Sequence, residues 1–392
     1  MSAAPARLPL AVCAFYFWYF LFVGTNAPYL SLYLSAAGLG IAQIGLIMSM
    51  SPATRLVGPL FWGWIADRSG ARVGVMRACA FLAMGAVIAL WFAADHFIPV
   101  LMLATLVFFA NAGQVPIGEA LAHQASGGDA GRYSRMRVWG SIGFIVGVLA
   151  MAPALEFTGI LSLPWWLAAM MIALLAALLL MPGGAGRPRT VAPGASPIRS
   201  SLRDPALVAF FVSLFLMIYA HSAFYAFFSL FLERHGFGKP AIGALWAVGV
   251  LAEMALFYAA VPIFARFDAL ALLRFSMAVA VLRFALVAVS DGSVWLLVVS
   301  QLMHAVTFGL HHSASQALLQ RWYEPGSQAR AQGLFSTIGY GLGGTLGGLA
   351  ASALWVGWSP EAAFGGAALA AALGWASVHA CVRFGGGPRS RL

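Results

Sequence analysis

The sequence predicts an all-α membrane protein, with twelve transmembrane helices in two pseudo-symmetric six-helix bundles. Three observations predict it. Of 392 residues, 62% are hydrophobic and only 9% charged, a balance that places a chain in lipid. Polar punctuation divides the chain into apolar runs of about 20 residues or more, the length a helix needs to cross a bilayer. The stretch YLSLYLSAAGLGIAQIG, from Tyr29, returns as FFSLFLERHGFGKPAIG from Phe227, 198 residues later.

The runs fall at 8–36, 42–66, 73–94, 98–125, 135–156, 163–182, 205–233, 239–264, 269–290, 293–321, 328–353 and 360–381. The first follows Arg7 and stays apolar for more than 25 residues, longer than the core of a signal peptide, so it is expected to be a retained helix. None of the runs alternates as a lipid-spanning strand does, which leaves helices to satisfy the backbone in lipid. Cys13, Cys79 and Cys381 lie in or at the ends of apolar runs. They suggest neither a disulfide framework nor a metal site.

The net charge of +10 is explained by position. With the N-terminus cytoplasmic, 18 of the 22 basic residues fall on one side, in Arg7, in turns such as those of Arg68, Arg72 and Arg77 or Arg132, Arg135 and Arg137, and after Cys381. Arg234 and Lys239 fall on the other side, and Asp95, Glu156, Asp291 and Glu361 mark turns there. Basic residues collect on the cytoplasmic face. A multi-pass cell-membrane protein with both termini cytoplasmic is expected, an inner-membrane protein if the source is bacterial.

At the 198-residue offset Ser31 matches Ser229, Gly38 matches Gly236, Gly40 matches Gly238, Gly45 matches Gly243 and Arg68 matches Arg266. GSIGFIVG, from Gly140, matches STIGYGLG, from Ser336, at an offset of 196. The expected organisation is a bundle at 1–182, a Pro-, Gly-, Arg- and Ser-rich cytoplasmic linker at 183–204, and a second bundle at 205–392. Duplicated halves of parallel orientation can expose a midplane site to each side in turn.

Ionisable side chains in a bilayer are costly unless they find a partner or water, so each is a functional candidate. The candidates are Arg55, Glu119, His123, His221, Glu253, Arg283, His304, His311 and His312, with Arg137 near a helix end. His304, His311 and Ser315, spaced by seven and four, are expected to share a face, and imidazole can pass a proton near neutral pH. His123 and His221 are expected to serve packing. Glu253 and Arg283 suit either proton coupling or a structural ion pair. Arg55, the counterpart of Glu253 at the 198 offset, is too deep to snorkel easily and offers a planar fork to a carboxylate. Phe144 and Tyr225 are candidate stacking surfaces.

WGWIADRSGAR, from Trp62, resembles the loop signature between helices 2 and 3 of the major facilitator superfamily. Gly63, Asp67, Arg68, Gly70 and Arg72 stand where that pattern has them, and Ala71 departs from it. The resemblance implies gating roles for Asp67 and Arg68. RMRVWGSIGF, from Arg135, is similar to the start of helix 5 in the phenylpropionate permease and lactose permease branch. Glu119, eighteen positions before Arg137, fits that branch, as do Glu253, Arg283, His304 and His312.

The resemblance implies a secondary active transporter that moves a small organic solute by proton symport with alternating access. Arg55, Glu119, Arg137, Phe144 and Tyr225 are the expected substrate-binding residues, and Glu253, Arg283, His304 and His312 the proton-coupling ones. Counting three arginines against two glutamates, the solute is expected to be an anion, an aromatic carboxylate such as phenylpropionate. Nucleoside or sugar symport, export of a drug or metabolite, and a transport-inactive membrane sensor are the alternatives. The chain has no HExxH and no phosphate-binding loop ending in Lys-Ser/Thr, so no enzyme, cofactor, metal or nucleic-acid partner is expected. The expected partners are solute, protons and lipid, with the protein a monomer.

Overall fold

The structure, a computed structural model, describes residues 7–93, 96–183, 204–324 and 327–384. The expected linker lies, except for Gly183 and Asp204, outside the described residues, as does Asp95. Among the described residues all regular structure is helical.

Among the described residues, eleven helices are long and apolar enough to cross a membrane. In the first half they are α1 (Pro9–Ala36), α2 (Ile41–Ser69), α3 (Arg72–Phe92), α4 (Phe97–Ser126), α5 (Gly131–Thr158) and α6 (Ile160–Leu180). In the second they are α7 (Pro205–Arg234), α8 (Lys239–Arg266), α9 (Ala269–Ala288), α10 (Val294–Trp322) and α12 (Pro360–Arg383). Between the last two lies α11, a run of three abutting helical pieces at Gln328–Leu334, Phe335–Gly343 and Gly344–Gly357. Its seven glycines between Gly333 and Gly348 make it the least apolar of the twelve. This is the twelve-helix fold that the sequence predicts.

Helix ends follow from local chemistry. Asp129, Asp204 and Asp268 accept backbone N–H bonds at the starts of α5, α7 and α9, satisfying donors that a first turn leaves open. Gly38 and Gly236, which the internal repeat aligns, both adopt positive φ, +86° and +83°, where α1 and α7 end. That conformation favours glycine, and it is why one chain carries the same phrase twice. Arg77 on α3 caps α6, with Nε on the Leu178 carbonyl at 2.9 Å and Nη2 on that of Met181 at 2.8 Å, where a cation suits the negative helix end.

Two compact units are distinguished, Met1–Val191 with Phe237–Ala244, and Ala192–Gly236 with Leu245–Leu392. In the first unit, the backbone of α1 passes directly over glycines of α5. A Cβ added at Gly143 would fall on the Phe17 carbonyl, and one at Gly147 on that of Leu21. The second unit repeats this with α7 and α11, where a Cβ at Gly343 would come within 2.7 Å of the Phe215 carbonyl and one at Gly347 would fall on that of Tyr219. Close approach of helices through small residues is the usual packing device in lipid. Phe17 and Phe215 are 198 apart, whereas Gly143 and Gly343 are 200 apart. The equivalence of 196 read from the letters of α5 and α11 is therefore corrected by four residues, close to one helical turn.

Among the described residues, α4 is broken at Gly113 and α6 opens on a 3-10 turn, and α2, α10 and α11 depart from regular α geometry where chemistry concentrates. The turn Arg55–Val57 interrupts α2, after Pro52, with N–H bonds running back three residues, Arg55 to Pro52 at 3.1 Å and Leu56 to Ala53 at 3.1 Å. Wider π-turns occupy Ala305–Leu310 in α10 and Phe335–Gly343 in α11. Turns of this kind insert an extra residue per turn and recur at functional sites.

Candidate functional site

The second unit holds a polar cluster built on α7, α8, α9 and α10. Arg283, on α9, is fully buried and has its Cζ 4.8 Å from the centre of the Phe224 ring and 5.2 Å from that of Phe284. Its Nε donates to the Ser300 carbonyl at 2.9 Å, and its Nη1 donates to Thr307 Oγ1 at 3.0 Å and His221 Nε2 at 3.1 Å. The His221 tautomer follows. Its Nδ1 is 2.9 Å from the Met217 carbonyl, which only accepts, so Nδ1 carries the proton and Nε2 is the acceptor that Arg283 uses. His221 is therefore a buried, hydrogen-bonded member of the cluster.

Glu253, on α8, faces His304 on α10, Oε2 to Nε2 at 3.5 Å. Two glycines allow it. A Cβ at Gly309 would come within 3.0 Å of Glu253 Cγ, and one at Gly249 within 3.4 Å of His304 Cβ, so each side chain lies in the space that a glycine of the facing helix leaves open. Arg283 and Glu253 form no direct ion pair: Nε and Nη1 of the arginine are directed at Ser300, Thr307 and His221, and its Nη2 is buried with no partner among the described residues. The His304 ring stacks on Phe308, centroids 5.3 Å apart and planes 8° from parallel. Phe308 in turn lies 6.3 Å from Tyr225 and 6.5 Å from Tyr340, and His312 Nδ1 lies 3.2 Å from the Tyr340 hydroxyl. Tyr225 is partly exposed, as a stacking surface requires.

The π-turn Ala305–Leu310 corrects the expected alignment of His304, His311 and Ser315. One extra residue advances the helix by roughly 100°, so a spacing of eight now does what seven does in a regular helix. His312 falls in line with His304, and His311 turns away into the core, its Nε2 without a partner.

A second cluster, in the first unit, joins α1, α4 and α5. Arg137 Nη1 is 3.1 Å from Glu119 Oε1, and the Tyr133 hydroxyl donates to the other carboxylate oxygen. His123 stacks on Tyr133 with centroids 4.4 Å apart. Arg137 lies over the rings of Tyr16 and Phe20, at 5.5 and 5.8 Å. Glu119 and Arg137 are thus paired, with Tyr16, Tyr133 and His123 around them. Phe144 is half-buried, and its backbone crosses Gly24 of α1.

Arg55 stands in the break of α2 with its side chain exposed, and among the described residues it has no side-chain hydrogen bond or ion pair. Asp67 is 3.9 Å from Arg72, while Arg68 extends over the Trp64 ring at 5.7 Å. Asp67 and Arg68 thus take different partners, not each other. Ser300, Thr307, Tyr133 and Tyr340 carry no sequence signal of their own, because a neutral hydroxyl costs little in lipid. The described residues contain no group of three or more metal-type ligands, and Cys13, Cys79 and Cys381 are free thiols.

Residues 10–365 match the MFS_1-like family. Among curated proteins, the chain is 27% identical over 336 residues to a probable 3-phenylpropionic acid transporter of Escherichia coli (strain K12), covering 83% of this chain and 86% of that one. It is 29% identical over 338 residues to a maltose permease of Geobacillus stearothermophilus, covering 84% and 83%. Among solved structures, a crystal structure of a mutant of the nucleoside transporter NupG superposes with a TM-score of 0.85 at 19% identity, covering 95% of this chain and 99% of that one.

Proposed function

We infer that this chain, which belongs to the MFS_1-like family of the major facilitator superfamily, couples the passage of an uncharged, hydroxylated solute to that of a proton. The general class is a secondary active transporter of small molecules, not an enzyme. The observation that carries the proton reading is the Glu253 to His304 contact at 3.5 Å. Imidazole takes and releases a proton near neutral pH, and carboxylates and histidines within a membrane are the usual members of proton relays. In this reading protonation of the pair alternates with solute-loaded and empty states by alternating access.

The class of solute follows from which cations are already engaged. Arg137 is held by Glu119 at 3.1 Å, and three donor contacts of Arg283 end on protein acceptors. The acceptors of Arg283 are neutral and leave its charge in place, so the arginines still exceed the glutamates by one, and the one of these arginines with no side-chain partner among the described residues is Arg55. Stacking rings and neutral polar groups remain, in Tyr225, Phe308, Tyr340 and His312, and they suit a nucleoside or a sugar. The maltose permease and the fold shared with a nucleoside transporter support this class.

Exposed Arg55 favours a second reading, an aromatic carboxylate, with which the likeness to a probable 3-phenylpropionic acid transporter agrees. Uptake into proteoliposomes under an inward proton gradient, with labelled uridine, maltose and 3-phenylpropionate in parallel, separates the two. Accumulation of uridine or maltose supports the first reading. Accumulation of 3-phenylpropionate alone supports the second.

A further inference from the structure

On α10, one residue triplet away from the proposed proton site, Gln301 is completely buried and its carboxamide is oriented by its neighbours. Its Nε2 donates to Ser300 Oγ at 3.3 Å. Ser300 Oγ spends its own proton on the Leu297 carbonyl at 2.7 Å, so it can only accept from Gln301. A flipped amide would place two acceptors against each other. The Gln301 Oε1 end is thereby fixed as an acceptor, and it is buried with no donor. A buried acceptor left in that state is costly.

His304 Nδ1 is likewise buried and without a partner. Gln301 and His304 are i and i+3 on one helix, hence neighbours on its surface, and both face Gly249 of α8. A Cβ there would come within 3.3 Å of Gln301 Oε1 and 3.4 Å of His304 Cβ. With its one proton on Nε2, the nitrogen 3.5 Å from Glu253 Oε2, neutral His304 presents a lone pair at Nδ1. Two orphaned acceptors, on residues three apart in one helix, then cannot bond each other. A proton on Nδ1 turns one of them into a donor.

We propose that Gln301 is a positioning residue for proton uptake, its free carboxamide oxygen receiving the Nδ1–H that His304 gains when protonated. This rests on the reading of Glu253 and His304 as the proton-coupled pair. The step moves a proton and breaks no other bond: imidazole becomes imidazolium, held by Glu253 at Nε2 and Gln301 at Nδ1. The other charged or titratable groups around His304 are Arg283 on α9, His221 on α7, whose ring centroid is 5.9 Å away, Tyr225 on α7, and His311 and His312 on α10. Tyr340 of α11 reaches the same aromatic stack through Phe308.

The test is the pH dependence of solute uptake by the full-length protein in proteoliposomes, for wild type, Gln301→Met and Gln301→Glu. Methionine keeps the shape and removes the acceptor, so the pH of half-maximal uptake moves down by about one unit, the size of a hydrogen bond to a charged group. Glutamate strengthens the acceptor and moves it up. Loss of packing alone lowers the rate at every pH and leaves the midpoint in place. Midpoints that coincide in all three proteins overturn the role of Gln301. A wild-type uptake with no pH dependence overturns the proton-coupled reading beneath it. If Gln301→Met fails to fold, Gln301→Glu still decides, because an unmoved midpoint in that variant is sufficient refutation.

Discussion

Arg283 Nη1 lies 3.1 Å from His221 Nε2, and the proton on His221 is committed to the Met217 carbonyl. A neutral histidine thus serves as acceptor for a buried guanidinium. The arrangement keeps a positive charge in the core without an adjacent carboxylate, which leaves Glu253 free to face His304. Two helices, α7 and α9, are joined by that bond, and α10 joins them through Ser300 and Thr307.

Thr307→Val is isosteric and removes one acceptor of Arg283, a group with no exposure to solvent. We expect a loss of about 1–3 kcal/mol in stability, seen as a fall in melting temperature in detergent. Solute affinity, measured by isothermal titration, is expected to change little. A large loss of affinity at unchanged melting temperature would place Thr307 on the solute.

Glu253→Gln cannot gain or lose a proton. Gradient-driven accumulation is expected to disappear while exchange of labelled for unlabelled solute persists. Loss of both in a protein that still melts normally would assign Glu253 to binding.

Arg55 decides the charge of the solute. If the solute is uncharged, Arg55→Ala keeps uptake within about threefold, since no charged hydrogen bonds are lost. If it is a carboxylate, Arg55→Lys already weakens binding, because the ammonium lacks the bidentate fork. Competition by 3-phenylpropionate and by its amide reads the difference.

Gly143→Ala and Gly347→Ala place a methyl on a backbone carbonyl that has no room to retreat. Each is expected to cost at least about 1–3 kcal/mol and to reduce folded yield. Gly85→Ala, where nothing lies within 4 Å, is expected to be neutral. Equal behaviour of all three would refute the close approach of α1 with α5 and of α7 with α11.

Asp129 precedes α5, and the Arg132 N–H it accepts at 2.9 Å holds its carboxyl below the ordinary range. A lowered value in the folded state means stabilisation that is present at neutral pH and lost as pH falls through that value. Asp129→Ala is therefore expected to lower the melting temperature at pH 7 and to differ less from wild type near pH 3. A difference that does not change with pH would contradict the cap.

The helices were legible because lipid imposes length and composition on any span, and the repeated helix ends because Gly38 and Gly236 adopt the same left-handed backbone. The Glu119 to Arg137 pair and the place of Glu253 were legible because charge in lipid requires a reason. Hydroxyls such as Thr307 carry no such signal, and His221 looked like any packed histidine until its tautomer could be read from Met217. The phase of α10 was hidden for a different reason. A π-turn leaves no mark in residue spacing, so counting by sevens selected His311 where the backbone aligns His312. The register of α5 with α11 slipped similarly, because glycines every three or four positions match at several offsets.

We infer that solute and proton cross together through Glu253 and His304. Wild-type protein in vesicles enclosing a pH-sensitive dye, with equal pH on both sides, provides the direct measurement. Addition of the transported solute outside is expected to acidify the lumen as solute enters, and the signal is expected to vanish in Glu253→Gln. Entry of labelled solute with no change in lumenal pH, or acidification undiminished in the variant, would contradict it.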